Sequence, residues 1–194
     1  MNYLAHFYLA APEPDLMFGN YIGDGVKGSD FSRYTADVVR GIKFHRFIDS
    51  FTDTHEIVSD AKKLFYPTQA KFSGVVVDVL FDHMLAINWS TYHKDKLADF
   101  AEFCYATVGK KSEDMPLRSS RFYQYMTGND ILSNYATRSG IESVFRGMDS
   151  RTSYHSNMRE SIKALSEIED EFEELFDRFF PVLVDECSEW KSRN

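Results

Sequence analysis

Residues 35–55 read TADVVRGIKFHRFIDSFTDTH, and their spacing decides the fold class. Val38, Ile42, His45 and Asp49 recur at intervals of three and four, which places them on one face of an α-helix, and Thr35 is the residue type that caps such a helix. Asp53 continues the line. The face begins apolar and then carries an imidazole and a carboxylate one turn apart. Burying a carboxylate is costly unless it is paired or bound to a metal. A metal site satisfies that requirement. So does a structural His45–Asp49 hydrogen bond, or a pairing of Asp49 with Arg46.

A second segment lies downstream, SGVVVDVLFDHMLAINW at 73–89. Asp78 and Asp82 stand one turn apart in apolar surroundings, where like charges repel, and a cation between them would relieve that repulsion. The alternative exposes one Asp and lets the other cap a neighbouring helix. His83 follows about 100° further round the helix. Two weaker elements precede both segments: His6 within the apolar run NYLAHFYLA, and Asp24 at the end of GNYIGD. A core histidine and a surface carboxylate would explain them equally, although the glycines of GNYIGD would let the backbone pass close to a phosphate. Together these His and Asp side chains form a mixed nitrogen and oxygen set that suits Mn²⁺, Mg²⁺ or Fe²⁺ rather than a thiolate zinc site.

Five prolines and ten glycines punctuate otherwise helical spacing, and no strand-and-hairpin pattern recurs. Helices are expected near 15–28, 36–51, 54–65, 73–92, 95–109, 118–127, 129–136, 138–148 and 152–190, the last broken around Ser166 or before Pro181. The expected fold is therefore all-α, a single-domain helical bundle over 1–194, since no repeat, low-complexity tract or linker divides the chain. The 194 residues are 43% hydrophobic and 15% aromatic, enough to fill one core. Aromatics in the middle, Phe103, Tyr105, Phe122, Tyr123 and Tyr125, are expected in that core, with a ligand groove as the other use.

Cys104 and Cys187 lack disulfide or zinc-type spacing and read as reduced, packed thiols. The opening MNYLAHFYLAA has no Lys or Arg before its apolar run and carries His6 inside it, so no signal peptide is expected and the protein is placed in the cytoplasm. GVVVDVLF, at 74–81, falls far short of the roughly 20 residues of a membrane span. A formal charge of −8 argues against nucleic-acid binding. Basic residues gather between Lys27 and Lys71, whereas ALSEIEDEFEELFD at 164–177 is strongly acidic, so an acidic partner has only the first part to dock on.

The motifs MNYLAHFYLA, GNYIGD, GIKFHRFIDSFTD and DVLFDH, followed by Asn88-Trp89, FRGM and FDRFFPVL, stand in an order that resembles the acyl carrier protein phosphodiesterases over nearly the whole chain. The resemblance implies an atypical branch of the HD phosphohydrolases, an HD-like helical fold and one or two divalent metals, most simply Mn²⁺. It also implies removal of the 4′-phosphopantetheine arm from holo acyl carrier protein by attack of water at phosphorus. Carried over by motif, the site residues are His6, Asp24, His45, Asp49, Asp78, Asp82 and His83, although the adjacent pair here is Asp82-His83, the reverse of the usual order. His45, Asp82 and His83 would form the metal core with Asp24 or Asp78 completing the shell, and His6 or His83 would protonate the leaving serine oxygen. Arg46 would steady the phosphate. Because acyl carrier proteins are acidic, Lys27, Arg40, Lys43, Lys62 and Lys63 become the expected docking residues. A hydrolase of nucleotides or other small phosphodiesters, or a non-catalytic helical binding module, are the competing readings.

Overall fold

A computed structural model describes residues 1–152 and 156–194. It contains eleven α-helices and no strand among the described residues: α1 Tyr3–Ala10, α2 Pro14–Ile22, α3 Ala36–Thr54, α4 Glu56–Gln69, α5 Ser73–Ile87, α6 Trp89–Tyr92, α7 Leu97–Gly109, α8 Leu117–Gly128, α9 Ile131–Asn134, α10 Arg138–Asp149 and α11 Ser161–Arg193. The all-α expectation holds. No helix of the described residues is long and apolar enough to cross a membrane.

Several boundaries shift for identifiable reasons. Helix α1 was not expected, because Leu4, Ala5, His6, Phe7, Leu9 and Ala10 are all buried and a helix buried all round has no amphipathic period. The helix expected over 15–28 stops at Ile22, and Gly23–Gly25 forms a 3₁₀ turn. The 73–92 helix breaks at Asn88, whose backbone (φ −96°, ψ 17°) leaves the helical region. Of the helix expected from 152, residues 153–155 lie outside the described ones; α11 begins at Ser161, bends at Ile168 (φ −133°, ψ 19°) and runs through Pro181 unbroken.

Caps set the starts. The Thr35 side chain accepts from the Val38 N–H at 3.4 Å, as expected, and the His55 side chain caps α4 through the Ile57 N–H at 3.2 Å. Phe172, Phe176, Phe179, Phe180 and Leu183 of α11 are fully buried against Phe65 of α4, Phe81 of α5 and their neighbours. Each such ring removes roughly 2–3 kcal/mol worth of apolar surface from water. Cys104 and Cys187 are both buried and free. Tyr105 and Tyr123 are tied into hydrogen bonds and Phe122 stacks on Tyr3, whereas Phe103 and Tyr125 are about two-fifths exposed.

One crossing positions the site. α2 packs along α3 at Gly19 and Gly41, where no side chain fits: a Cβ on Gly19 would lie 2.1 Å from the Val38 carbonyl oxygen and one on Gly41 would lie 2.5 Å from that of Leu16. Only glycine permits that approach. It brings Asn20, the next residue of α2, against His45, one turn beyond Gly41.

Candidate metal centre

Three short segments converge beside this crossing. His6 comes from α1, Asn20 from α2, Asp24 from the turn that follows it, and His45 and Asp49 from adjacent turns of α3. They line a cleft of about 50 Å³ together with Met1, Asn2, Tyr3, Phe7 and Tyr21. A wider hollow of about 230 Å³ shares Met1, Asn2, Asp24 and Asp49 and adds Thr52, Asp53, Val75 and Asp78.

Asn20 organises the cluster. Its Nδ2 donates to the His6 carbonyl at 2.9 Å, which orients the amide and leaves Oδ1 as an acceptor for both imidazoles, at 2.8 Å from His6 Nδ1 and 3.2 Å from His45 Nδ1. Both Nδ1 atoms therefore carry hydrogen, and both histidines present Nε2 to the cleft. The rings lie 4.6 Å apart. Asp49 reaches both Nε2 atoms, with Oδ1 at 3.2 Å from His6 and Oδ2 at 3.1 Å from His45, while Asp24 Oδ1 is 3.5 Å from His45 Nε2.

These nitrogens and oxygens are acceptors facing acceptors unless a cation or a proton stands between them. His45 Nε2 is buried, and no oxygen around it is aligned for a hydrogen bond. His6, His45 and Asp49 each offer a ligand atom within 4.8 Å of the others, so the donor set fits a divalent ion. The electrostatics agree. Burial lowers the basicity of His45, but Asp24 and Asp49 outweigh it and raise its pKa to about 9. Burial pushes Asp49 upward, yet the two histidines hold its carboxyl well below the usual carboxylate range. The contact with His45 likewise lowers Asp24, and burial lowers His6. The two carboxylates thus favour positive charge at His45, while His6 keeps a neutral ring.

Of the residues expected from sequence, His6, Asp24, His45 and Asp49 come together here. Asp78 lines the adjoining hollow and accepts from the Met1 ammonium at 2.7 Å. Asp82 and His83 lie outside the cluster. Asp82 is fully buried and caps α1, accepting from the backbone N–H of Leu4 at 2.7 Å, Asn2 at 3.1 Å and Ala5 at 3.3 Å. Burial raises its carboxyl to about 7 against the pull of those donors and of the Met1 ammonium. His83 Nδ1 donates to the Tyr135 carbonyl at 2.6 Å, and burial lowers its pKa. Arg46 points to the loop after α2, donating to the carbonyls of Val26 at 3.0 Å and Gly28 at 2.8 Å. Of the expected docking residues, Arg40 pairs with Glu13, Lys62 with Asp53 and Lys63 with Asp60, while Lys27 and Lys43 are exposed.

Sequence reasoning singled out the stretch around Asn20 but gave the amide itself no role. Its signal is an amide inside LMFGNYI, a buried run where an unpaired polar group would be costly. Gly23 is the other constraint on the site: a Cβ there would lie 2.4 Å from the His45 ring.

The family model for acyl carrier protein phosphodiesterase matches residues 1–183. The chain is 30% identical over 191 residues to the acyl carrier protein phosphodiesterase of Photorhabdus laumondii, covering 96% of this chain and 95% of that protein. It is 32% identical to the one of an Enterobacter species and 30% identical to that of Yersinia pestis, in both cases covering 95% of this chain and 96% of the relative. No solved structure matches it. Metal-competent imidazoles and carboxylates thus sit inside the matched region, and the chain belongs to the acyl carrier protein phosphodiesterase family.

Proposed function

We propose that this protein hydrolyses the phosphodiester joining 4′-phosphopantetheine to holo acyl carrier protein, giving the apo carrier and free 4′-phosphopantetheine, at a divalent metal held by His6, His45 and Asp49. The observation that carries the reading is the convergence of two Asn20-oriented imidazoles on Asp49 in a chain of this family. The mixed nitrogen and oxygen set suits Mn²⁺, the ion the family resemblance implies, with Mg²⁺ or Fe²⁺ as the other ions of matching preference. Once bound, such an ion supplies polarisation of a phosphoryl oxygen and a more acidic coordinated water.

The chain's own groups do the rest. Asn20 fixes the ring tautomers, so no imidazole reorients during turnover. Asp24 lies at the mouth with its side chain 65% exposed, free to accept the proton of the attacking water. Tyr3 lines the same cleft, and burial raises its hydroxyl to about 12, so it stays protonated and can donate to the phosphate or to the departing serine oxygen. Arg46, held on the carbonyls of Val26 and Gly28, braces the loop that follows Asp24. Two buried, unpaired cysteines suit the cytoplasm, where carrier and enzyme would meet.

Mass spectrometry of holo carrier incubated with enzyme and Mn²⁺ tests the reading, with EDTA, Asp24→Ala and Asp49→Ala as controls. Metal-dependent loss of the 4′-phosphopantetheine mass is expected. An intact carrier, from folded and metal-loaded enzyme that still cleaves small phosphodiesters, would replace the carrier with a small-molecule substrate.

A further inference from the structure

The rim of the cleft has one face whose positive charge is unclaimed. The first turn of α8 sits over the turn that carries Asp24: a Cβ on Gly25 would lie 2.4 Å from Ser119 Oγ, and the Tyr21 hydroxyl donates to the Ser119 carbonyl at 2.8 Å. Arg118, Arg121, Phe122 and Tyr125 recur at helical spacing on one side of α8. Phe122 stacks on Tyr3 at 4.6 Å between ring centres, so this side of α8 borders the cleft. The end of α10 closes the same rim. A Cβ on Gly147 would lie 3.5 Å from the Tyr125 hydroxyl, and Arg151 is folded back onto the Gly147 carbonyl at 2.9 Å.

Arg118, Arg121 and Arg151 are exposed, and none has an ion-pair partner among the described residues. The Tyr3 hydroxyl feels two of them. Burial and Asp24 raise its pKa while Arg118 and Arg151 lower it, which places both guanidiniums within electrostatic range of the cleft. Leu117, 68% exposed, and Tyr125, 42% exposed, add apolar contact area beside these charges. What sets this rim apart is place: three exposed guanidiniums gather beside a cleft that carries Asp24 and Asp49, in a chain of net charge −8. By contrast, three of the five basic residues expected to dock a partner are held in ion pairs.

We infer that the α8 face and the end of α10, through Arg118, Arg121 and Arg151, form the docking surface for an acidic protein partner, the carrier of the proposed reaction. The inference rests on that reading for the identity of the partner. Charge complementarity selects a surface of clustered carboxylates, and continuity with Tyr3 and Asp24 delivers the partner's attached group to the cleft. Lys62 and Lys63 take no part.

Binding of dye-labelled apo acyl carrier protein, followed by fluorescence anisotropy, tests the face without requiring turnover. Arg118→Glu/Arg121→Glu is expected to weaken binding by about tenfold or more, and Arg151→Glu to weaken it in the same direction, whereas Lys62→Glu/Lys63→Glu changes it by less than about twofold. Far-UV circular dichroism and melting temperature should match the wild type in all three, which shows the fold intact. Affinities for the α8 and Arg151 variants within about twofold of wild type would overturn the inference, as would absence of saturable carrier binding by the wild type, with or without binding to anionic vesicles. Carrier binding of the expected pattern without phosphopantetheine release would instead overturn the proposed reaction and leave the docking face standing.

Discussion

Replacing Asn20 by Ala removes three hydrogen bonds at once, because Oδ1 accepts from two histidines and Nδ2 donates to the His6 carbonyl. The residue is 1% exposed, so its three bonds are made out of contact with bulk water. Two buried N–H groups and one carbonyl are left unpaired at about 1 kcal/mol or more each, so the folded state should lose about 3–4 kcal/mol. That is a large part of a typical stability of about 5–15 kcal/mol. The effect on metal binding is separate. Loss of one orienting partner typically weakens a metal site about 10–100-fold, and here both imidazoles lose theirs, so Mn²⁺ affinity should fall by about 100-fold, or about 2.7 kcal/mol. Urea titration reads the first quantity and calorimetric Mn²⁺ titration of the folded variant reads the second. Asn20→Asp separates them further: it still accepts from both rings but sets an oxygen against the His6 carbonyl, so it should lose stability while holding metal. An Asn20→Ala protein that folds and binds Mn²⁺ within about twofold of wild type would refute the claim that the amide sets the tautomers.

Asp49→Ala is expected to abolish Mn²⁺ binding measured by titration, whereas His83→Ala, altered at a ring bonded only to Tyr135, should leave it within about threefold of wild type. Gly41→Ala forces a methyl toward the Leu16 carbonyl, 2.5 Å away, and should cost about 1–3 kcal/mol in urea together with a measurable loss of metal affinity. Asp82→Ala strands three backbone N–H groups at the start of α1 and should cost about 3 kcal/mol. Faster amide exchange confined to α1 would identify the cause. Burial raises the Cys187 thiol to about 12 and the Cys104 thiol further, so neither should react with a thiol reagent at neutral pH until the protein is denatured.

What could be read from sequence follows from how local each relation is. His45 and Asp49 were legible because one helix sets their separation, and Thr35 because a cap is a three-residue matter. The Asp78–Asp82 spacing was just as regular yet points to different partners: the Met1 ammonium takes Asp78, and the first turn of α1 takes Asp82. Like-charge repulsion within a helix cannot reveal donors that arrive from about eighty residues away. Asn20 went unassigned for the same reason, since an amide acquires this role only when two histidines from other helices reach it. Charge counted along the chain likewise leaves out the partners that Arg40 and Lys62 find in space, Glu13 and Asp53, from 27 and 9 residues away.

The Gly19–Gly41 crossing also bears on the order in which the molecule assembles. Asn20 and His45 are 25 residues apart, whereas the bond from the Lys191 ammonium to the Leu9 carbonyl spans 182. Closing the longer loop from an open chain costs roughly 1.8 kcal/mol more by loop entropy alone. The two glycine-notched helices can therefore meet, and set the imidazoles side by side, before the long C-terminal helix is in place. The packing of Trp190 on Phe44 and Phe47 then ties the C-terminal end of the chain to the helix that carries His45 and Asp49.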